Sequence, residues 1–214
     1  MNKELDKQLC QSYPRLYRGR YGDIKSTLMC WGFGCGDGWY TLLDVISGLL
    51  TKHNPEICVV QVKEKFGGLR FYHSGCDAYS LGVEMTAGTL SHYICEICGA
   101  PGLLNDNDGW WSTRCDAHAS ENLTVDNRDD VDIDSVADLH LGAAWSRLAA
   151  ILKNSAAWHT EHNGRPAVTF CISKTNGRLV INSSNDDEFT NGMVDIIAGY
   201  ANRIDEYSGM VINE

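Results

Sequence analysis

Cys58-Val-Val60-Gln-Val62-Lys63-Glu-Lys65-Phe66-Gly67-Gly68-Leu69-Arg70-Phe71-Tyr72 is the stretch from which the fold can be read. Its first half alternates apolar and polar residues, and its second half is aromatic and apolar. Gly67-Gly68 between them is a turn signal, so the stretch predicts a β-hairpin. Upstream, Trp39, Leu42, Val45, Ile46, Leu49 and Leu50 recur at helical spacing and predict a helix with one buried face. Downstream, Ala78 to about His92 predicts a second helix. The order is helix–strand–strand–helix.

The same layout recurs further along. Leu148, Ile151 and Leu152 stand at the offsets from Trp145 that Leu42, Val45 and Ile46 hold from Trp39. Ala167 to Ile172 and Leu179 to Ile181 flank Asn176-Gly177, the strongest short hairpin signal. A helix is expected from about Asp186 to Tyr207, with Phe189, Met193, Ile196, Ile197, Tyr200 and Ile204 on one face. Gly82-Val83 and Ala87-Gly88 have loose counterparts in Gly192-Met193 and Ala198-Gly199. The expected fold is therefore α+β, with two αββα units related by duplication. Their hairpins either pair into one sheet or lie in separate modules.

Only the first unit runs into metal-ligand spacing. Cys95-Glu-Ile-Cys98 and Cys115-Asp-Ala-His118 form two close pairs of soft ligands separated by a loop. That is the requirement of a tetrahedral zinc site. Gly99 follows where the knuckle backbone must curl. Four protein ligands leave no open coordination position, so one structural Zn²⁺ is expected at Cys95, Cys98, Cys115 and His118. The domain reading is a zinc-containing unit over 1–120, an acidic linker over 121–134 and a second unit over 135–214.

The 214 residues are 43% hydrophobic, and no apolar run approaches a membrane span. The charged start MNKELDKQLC has no signal-peptide core. Nine cysteines without a secretion signal read as reduced thiols or ligands, with Cys10, Cys30, Cys35, Cys58, Cys76 and Cys171 as small buried hydrophobes. A net charge of −10 disfavours non-specific binding to phosphate backbones and suits a cytosolic protein that meets basic surfaces.

The acidic stretch carries Asp126, Asp129, Asp130, Asp132 and Asp134. It fails the EF-hand pattern, because Ser135 stands at the turn-glycine position and Leu141 where the bidentate Glu belongs. It reads as a solvated linker that caps the next helix, and as an acidic docking strip through Asp129, Asp130 and Asp132. Asp37, two residues before a helix, is a cap candidate and a tentative partner contact. The Gly- and Cys-rich loop before it is expected to pack Trp31 and Trp39 into the core. Lys63 and Arg70 on the first hairpin could meet a phosphate or carboxylate, although alternating charge on an open strand face is ordinary. Trp110 and Trp111 in the metal loop suit a binding hot spot, one of them packing and one exposed. His159-Thr-Glu-His162, before Gly164 and Pro166, reads as a surface loop. No Walker loop, GxSxG, HExxH or deaminase signature is present, and the chain is expected not to be an enzyme.

The strings Cys30-Trp-Gly-Phe-Gly34-Cys35-Gly-Asp-Gly-Trp39-Tyr40, Gln61 to Tyr72, Cys95-Glu-Ile-Cys98-Gly99, Gly109-Trp110 and Thr113-Arg-Cys115-Asp-Ala-His118 occur in order. Through them residues 1–120 resemble a family of small proteins encoded by tailed bacteriophages and prophages. Position 34 is commonly acidic there, and Gly34 departs from that, which weakens any role for a charge at this place. The resemblance implies a phage origin and the host cytoplasm, and no reaction. The expected function is a non-enzymatic zinc protein that binds and modulates a host protein, for example by inhibiting anti-phage defence. The alternatives are a nucleic-acid-binding zinc protein and a protein that sequesters a small nucleotide. No membrane partner is expected, and a homo-oligomer is compatible with the sequence.

Overall fold

A computed structural model describes residues 1–107, 109–119, 124–125 and 131–212. The chain is a mixed α+β protein with five α-helices among these residues. Helix α1 (Lys3–Ser12) leads through a 3₁₀ turn at Leu28–Trp31 to strand β1 (Phe33–Gly34) and helix α2 (Tyr40–His53). The hairpin β2 (Cys58–Lys65) and β3 (Gly68–Ser74) follows, then helix α3 (Ala78–Ser91). Strands β4 (Leu103–Asn107), β5 (Trp110–Arg114) and β6 (Thr124–Val125) come next. A 3₁₀ turn at Asp134–Leu139, helix α4 (Ala143–His162), the hairpin β7 (Thr169–Thr175) and β8 (Arg178–Ser184), and helix α5 (Glu188–Ala201) complete the order.

Three separate sheets result, in the orders β1-β2-β3, β5-β4-β6 and β7-β8, so the two hairpins do not pair with each other. Both hairpins close through two residues at positive φ, Phe66 (56°) and Gly67 (73°) in the first, Asn176 (51°) and Gly177 (73°) in the second. This is the turn whose twist matches the flanking strands. The first turn is therefore Phe66-Gly67, one residue earlier than Gly67-Gly68; Gly68 already belongs to β3.

The hairpins feed helices with matching starts. Asp77 caps α3 by accepting from Ser80 N at 2.8 Å, and Asp187 caps α5 by accepting from Thr190 N at 2.9 Å. The same carboxylates pair with histidines at the ends of the preceding helices: His53 with Asp77 at 2.7 Å, and His159 with Asp187 at 3.3 Å. Each histidine ring stacks on an aromatic residue in the first turn it faces, Tyr79 or Phe189.

Helices α3 and α5 cross where both carry glycine. A Cβ on Gly82 would lie 2.0 Å from Phe189 O, and one on Gly192 would lie 2.2 Å from Tyr79 O. Each glycine thus admits the first turn of the other helix. The core runs across this crossing without a break, from Leu42, Ile46 and Val83 to Ile151, Ile196 and Ile197.

Several expectations shift. Helix α5 ends at Ala201, because the chain turns at Asn202 and Ile204 bridges to Val211; Tyr207 lies beyond the helix. His159 and His162 sit in the last turn of α4, which Gly164 (φ 59°) terminates two residues later, so they are helical. The interval that pairs Gly82 with Gly192 pairs Ala87-Gly88 with Ile197-Ala198, so the second glycine match was one residue out of register. Trp39 is fully buried but Trp31 is 73% exposed. Of the remaining cysteines only Cys10 and Cys35 are buried, while Cys76 and Cys171 are exposed. The acidic stretch does not cap α4: Asp132 accepts from Ser135 N in the preceding 3₁₀ turn, and the start of α4 at Gly142 is held by Glu206.

Candidate metal centre

The knuckle begins where α3 has ended. Ile94 bridges to Pro101, Cys95 N donates to Ala100 O at 2.8 Å, and Gly99 N returns to Cys95 O at 2.8 Å. Gly99 holds φ 79°, which lets the turn close. Residues Leu103–Arg114 then form an antiparallel hairpin that brings Cys115 back beside the knuckle. Glu96 N donates to Thr113 O at 3.1 Å and fixes that return. Past Cys115, a tight turn (His118 N to Cys115 O, 2.9 Å) swings His118 inward.

The ligand atoms of Cys95, Cys98, Cys115 and His118 all lie within 4.8 Å of one another. Cys98 Sγ and Cys115 Sγ are 3.7 Å apart, and His118 Nδ1 is 3.6 Å from Cys95 Sγ and 3.3 Å from Cys115 Sγ. A tetrahedron with metal–sulfur bonds near 2.3 Å has edges of about 3.8 Å, so the spacing fits a metal ion at its centre. Cys95 is fully buried, whereas Cys98 and His118 are at the surface. Burial alone would raise the Cys95 thiol, but backbone N–H groups of Cys115, Cys98 and Ile97 outweigh it and lower it towards the thiolate. Three sulfurs and one imidazole are a soft donor set, and all four come from the protein.

Motif strings far apart in the sequence meet here. A Cβ on Gly36 would lie 2.2 Å from Glu96 O, and one on Gly38 would lie 2.1 Å from Cys95 O, so only glycine lets the start of α2 rest on the knuckle. Glu96 organises the contact. Its Oε1 accepts from Gly36 N at 2.9 Å, its backbone carbonyl accepts from Gly38 N at 2.8 Å, and its Oε2 pairs with Arg114 at 3.0 Å. Trp39 Nε1 donates to Ile94 O at 2.9 Å. Thr113 Oγ1 donates to Gly67 O at 2.7 Å and seats the β4–β5 hairpin on the first β-turn.

A second turn of the same shape stands at Asp205-Glu206-Tyr207-Ser208-Gly209. Asp205 N donates to Met210 O at 2.8 Å and Gly209 N to Asp205 O at 2.9 Å, while Gly209 holds φ 68°. Glu206 accepts from Gly142 N at 2.9 Å through Oε1, and its carbonyl accepts from Ala144 N at 3.0 Å. Lys174 takes the place of Arg114 as its ion-pair partner. Where the first knuckle has Cys95 and Cys98, this one has Asp205 and Ser208. Asp205 Oδ1 accepts from Ser208 N at 2.8 Å, Ser208 Oγ at 2.7 Å and Tyr207 N at 3.2 Å. A carboxylate fills the turn that the first knuckle lines with thiols. Glu96, Arg114, Asp205 and Glu206 were not singled out from the sequence. The signal was present, since C-E-x-C-G and D-E-x-S-G stand at the interval that relates Asp77 to Asp187.

The other candidate residues are dispersed. Lys63 and Arg70 face each other across β2 and β3; Lys63 Nζ lies 5.8 Å from the Tyr72 ring, and Arg70 donates to Leu69 O. Asp37 is not free for a partner, because its carboxylate accepts from Asn2 N and Asn2 Nδ2 and anchors α1; it makes no side-chain cap on α2. Trp110 is 80% exposed and its neighbour Trp111 is partly buried, as alternation along β5 requires. Asp132 is exposed. Asp129 and Asp130 lie outside the described residues.

Cys76 lies 3.7 Å from His73 Nδ1, but burial raises the thiol and lowers the imidazole, and Cys76 Sγ donates to the carbonyl of His73. That is the reverse of an activated thiolate pair. No described helix is long and apolar enough to cross a membrane. Comparison with protein-family models, with curated proteins and with solved structures finds no match to this chain.

Proposed function

We propose that this chain is a zinc-braced, non-catalytic binding protein built by duplication of one αββα-knuckle unit. The recurrence of caps, His–Asp pairs, glycine crossings and knuckle hydrogen bonds in the same order, 106 residues on for the first helix and 110 for the rest, supports the duplication. Three thiols and an imidazole at tetrahedral spacing favour Zn²⁺ over oxygen-seeking ions. Bound there, zinc supplies folding energy rather than a reactive position, because four protein ligands fill its shell.

The observation that carries the binding reading is Trp110. It is 80% exposed on a strand whose other end runs into the ligand Cys115. A large aromatic side chain on a rigid, metal-braced hairpin is the usual anchor of a protein interface. The partner we assign is a host protein met in the host cytoplasm and modulated or inhibited by binding, for example a component of anti-phage defence. That assignment draws on the phage resemblance and the net charge of −10.

The test is capture of partners from bacterial lysate with tagged protein and with Trp110→Ala, each with and without nuclease. One dominant host protein, resistant to nuclease and lost with Trp110→Ala, is expected. Equal recovery with Trp110→Ala overturns the role of the hairpin.

Nucleic-acid binding is the second reading, favoured by three cation–aromatic pairs in the first part of the chain. Arg20 lies 5.2 Å from the Tyr21 ring, Lys63 5.8 Å from Tyr72 and Lys65 5.1 Å from Phe66. Such pairs offer charge to phosphate and a ring face to a base. This reading predicts nuclease-sensitive recovery and steep salt dependence.

A further inference from the structure

Besides the knuckles, the described residues of the two units differ where their helices pack. Among the described residues, an open groove of about 440 Å³ lies between α3, α4 and α5, walled by Met85, Thr89, Asn154, Trp158, Phe189 and Met193. Its counterpart, where α2 meets α5, is sealed. There the Tyr13 hydroxyl donates to Asp44 at 2.8 Å, and Arg203 pairs with the same carboxylate. The Tyr13 hydroxyl also lies 3.5 Å from the place a Cβ on Gly48 would take. Gly48 corresponds to Asn154 and Asp44 to Ala150, so the open side has neither the space-saving glycine nor the charge.

Two further closures are missing there. The Tyr79 hydroxyl donates to Asp195 at 2.7 Å and ties α3 to α5 on the sealed side. The corresponding residues are Phe189 and Met85, which have no such bond to make. Gly199 lets α5 approach Val45, since a Cβ there would come within 2.8 Å of Val45 Cγ1. Its counterpart is Thr89, opposite Ile151, and both line the open groove.

A spare polar group stands in the wall. Thr86 is 1% exposed, lines the groove, and its hydroxyl has no hydrogen-bond partner among the described residues. The corresponding residue is Ile196, so packing of these helices does not require a hydroxyl there. A buried hydroxyl without a partner costs stability, which a ligand atom can restore. Methionine and aromatic walls adapt to flat rings, and the volume falls in the range of small-ligand sites.

We propose that this groove binds a small phenol-like ligand, an aromatic ring bearing one hydroxyl. The ring fills the groove as the Tyr13 ring fills the sealed one, with its hydroxyl turned towards Thr86 on α3 rather than towards α4. This site goes beyond the partner-binding reading above; it rests on the duplication proposed there and not on Trp110.

The test titrates the full-length, metal-loaded protein with p-cresol, and with toluene as the same ring without the hydroxyl. Calorimetry gives the affinity, and Trp158 fluorescence, assigned by difference from Trp158→Phe, gives the place. Saturable p-cresol binding is expected, about five-fold or more tighter than toluene, as one net hydrogen bond allows. Thr86→Val should remove that preference and leave toluene unchanged. Asn154→Phe fills the groove and should abolish both; Ser155→Phe serves the same purpose if that variant does not fold. Non-saturable p-cresol binding, or binding unaltered in a folded groove-filling variant, overturns the proposal. Self-association that a groove-filling variant abolishes, seen by sedimentation, would assign the groove to a second copy of the chain and also overturn it.

Discussion

The knuckle at Cys95–Gly99 and the turn at Asp205–Gly209 share a backbone and differ in what fills it. Both follow a helix of the central crossing, both return a glycine N–H to the first residue's carbonyl, and both present a glutamate to the start of a neighbouring helix. In the first, three thiols and an imidazole converge from two segments. In the second, one carboxylate accepts three local hydrogen bonds. The difference is one of range. A metal held there would cross-link the knuckle to residues Cys115–His118, so its loss would free a whole hairpin. Asp205 caps only its own turn, so its loss stays local.

The largest effect should therefore come from the metal. Chelation, Cys95→Ser or Cys115→Ser should cost several kcal/mol in the first unit, because metal-binding energy is folding energy in small metal modules. Hydrogen exchange should rise across residues 95–119 and at Gly36 and Gly38, which rest on the knuckle, while α4 and α5 remain protected. Uniform exposure of both units would mean that the whole chain depends on the metal.

Next come the glutamates. Glu96→Ala and Glu206→Ala each remove an ion pair and leave a helix-start N–H without its carboxylate. Each should cost about 1–3 kcal/mol by denaturant unfolding. Similar costs would support a common architecture; a silent Glu206→Ala would break the comparison.

Asp205→Ala should have a smaller effect, a few degrees in Tm, with exchange raised only at Tyr207 and Ser208. Acid should separate the two turns in the same order. Backbone N–H donation from Ser208 holds the Asp205 carboxyl below its usual range. Its contribution is present above the ordinary aspartate pKa of about 3.9 and is lost as pH falls through the depressed folded value. Protons compete with a metal for thiolate and imidazole at higher pH. On acidification the first knuckle should open before the second, followed by NMR of residues 95–99 and 205–209.

Much of this comparison is legible in sequence. The helices and hairpins follow from apolar period and from Gly67 and Asn176-Gly177, because local twist selects those turns. The convergence of Cys95, Cys98, Cys115 and His118 follows from paired spacing, because chelate geometry restricts it. What escapes is whatever depends on contacts across the fold. Phe66 takes a positive φ that no propensity rule assigns to phenylalanine, and Gly68 drew the turn one residue too late. Asp205 hid the second knuckle because a carboxylate replaces thiols by a different chemistry on the same backbone. Glu96 and Glu206 carry no local signal, since their partners Gly36 and Gly142 lie far off in sequence. The open groove is visible only after one unit is laid over the other.

The most direct test is metal content per chain, by elemental analysis of protein purified without added metal. One zinc per chain is expected in the wild type, one in Asp205→Ala, and almost none in Cys95→Ser. Zinc retained by Cys95→Ser, or a wild type without stoichiometric metal, would contradict the zinc assignment.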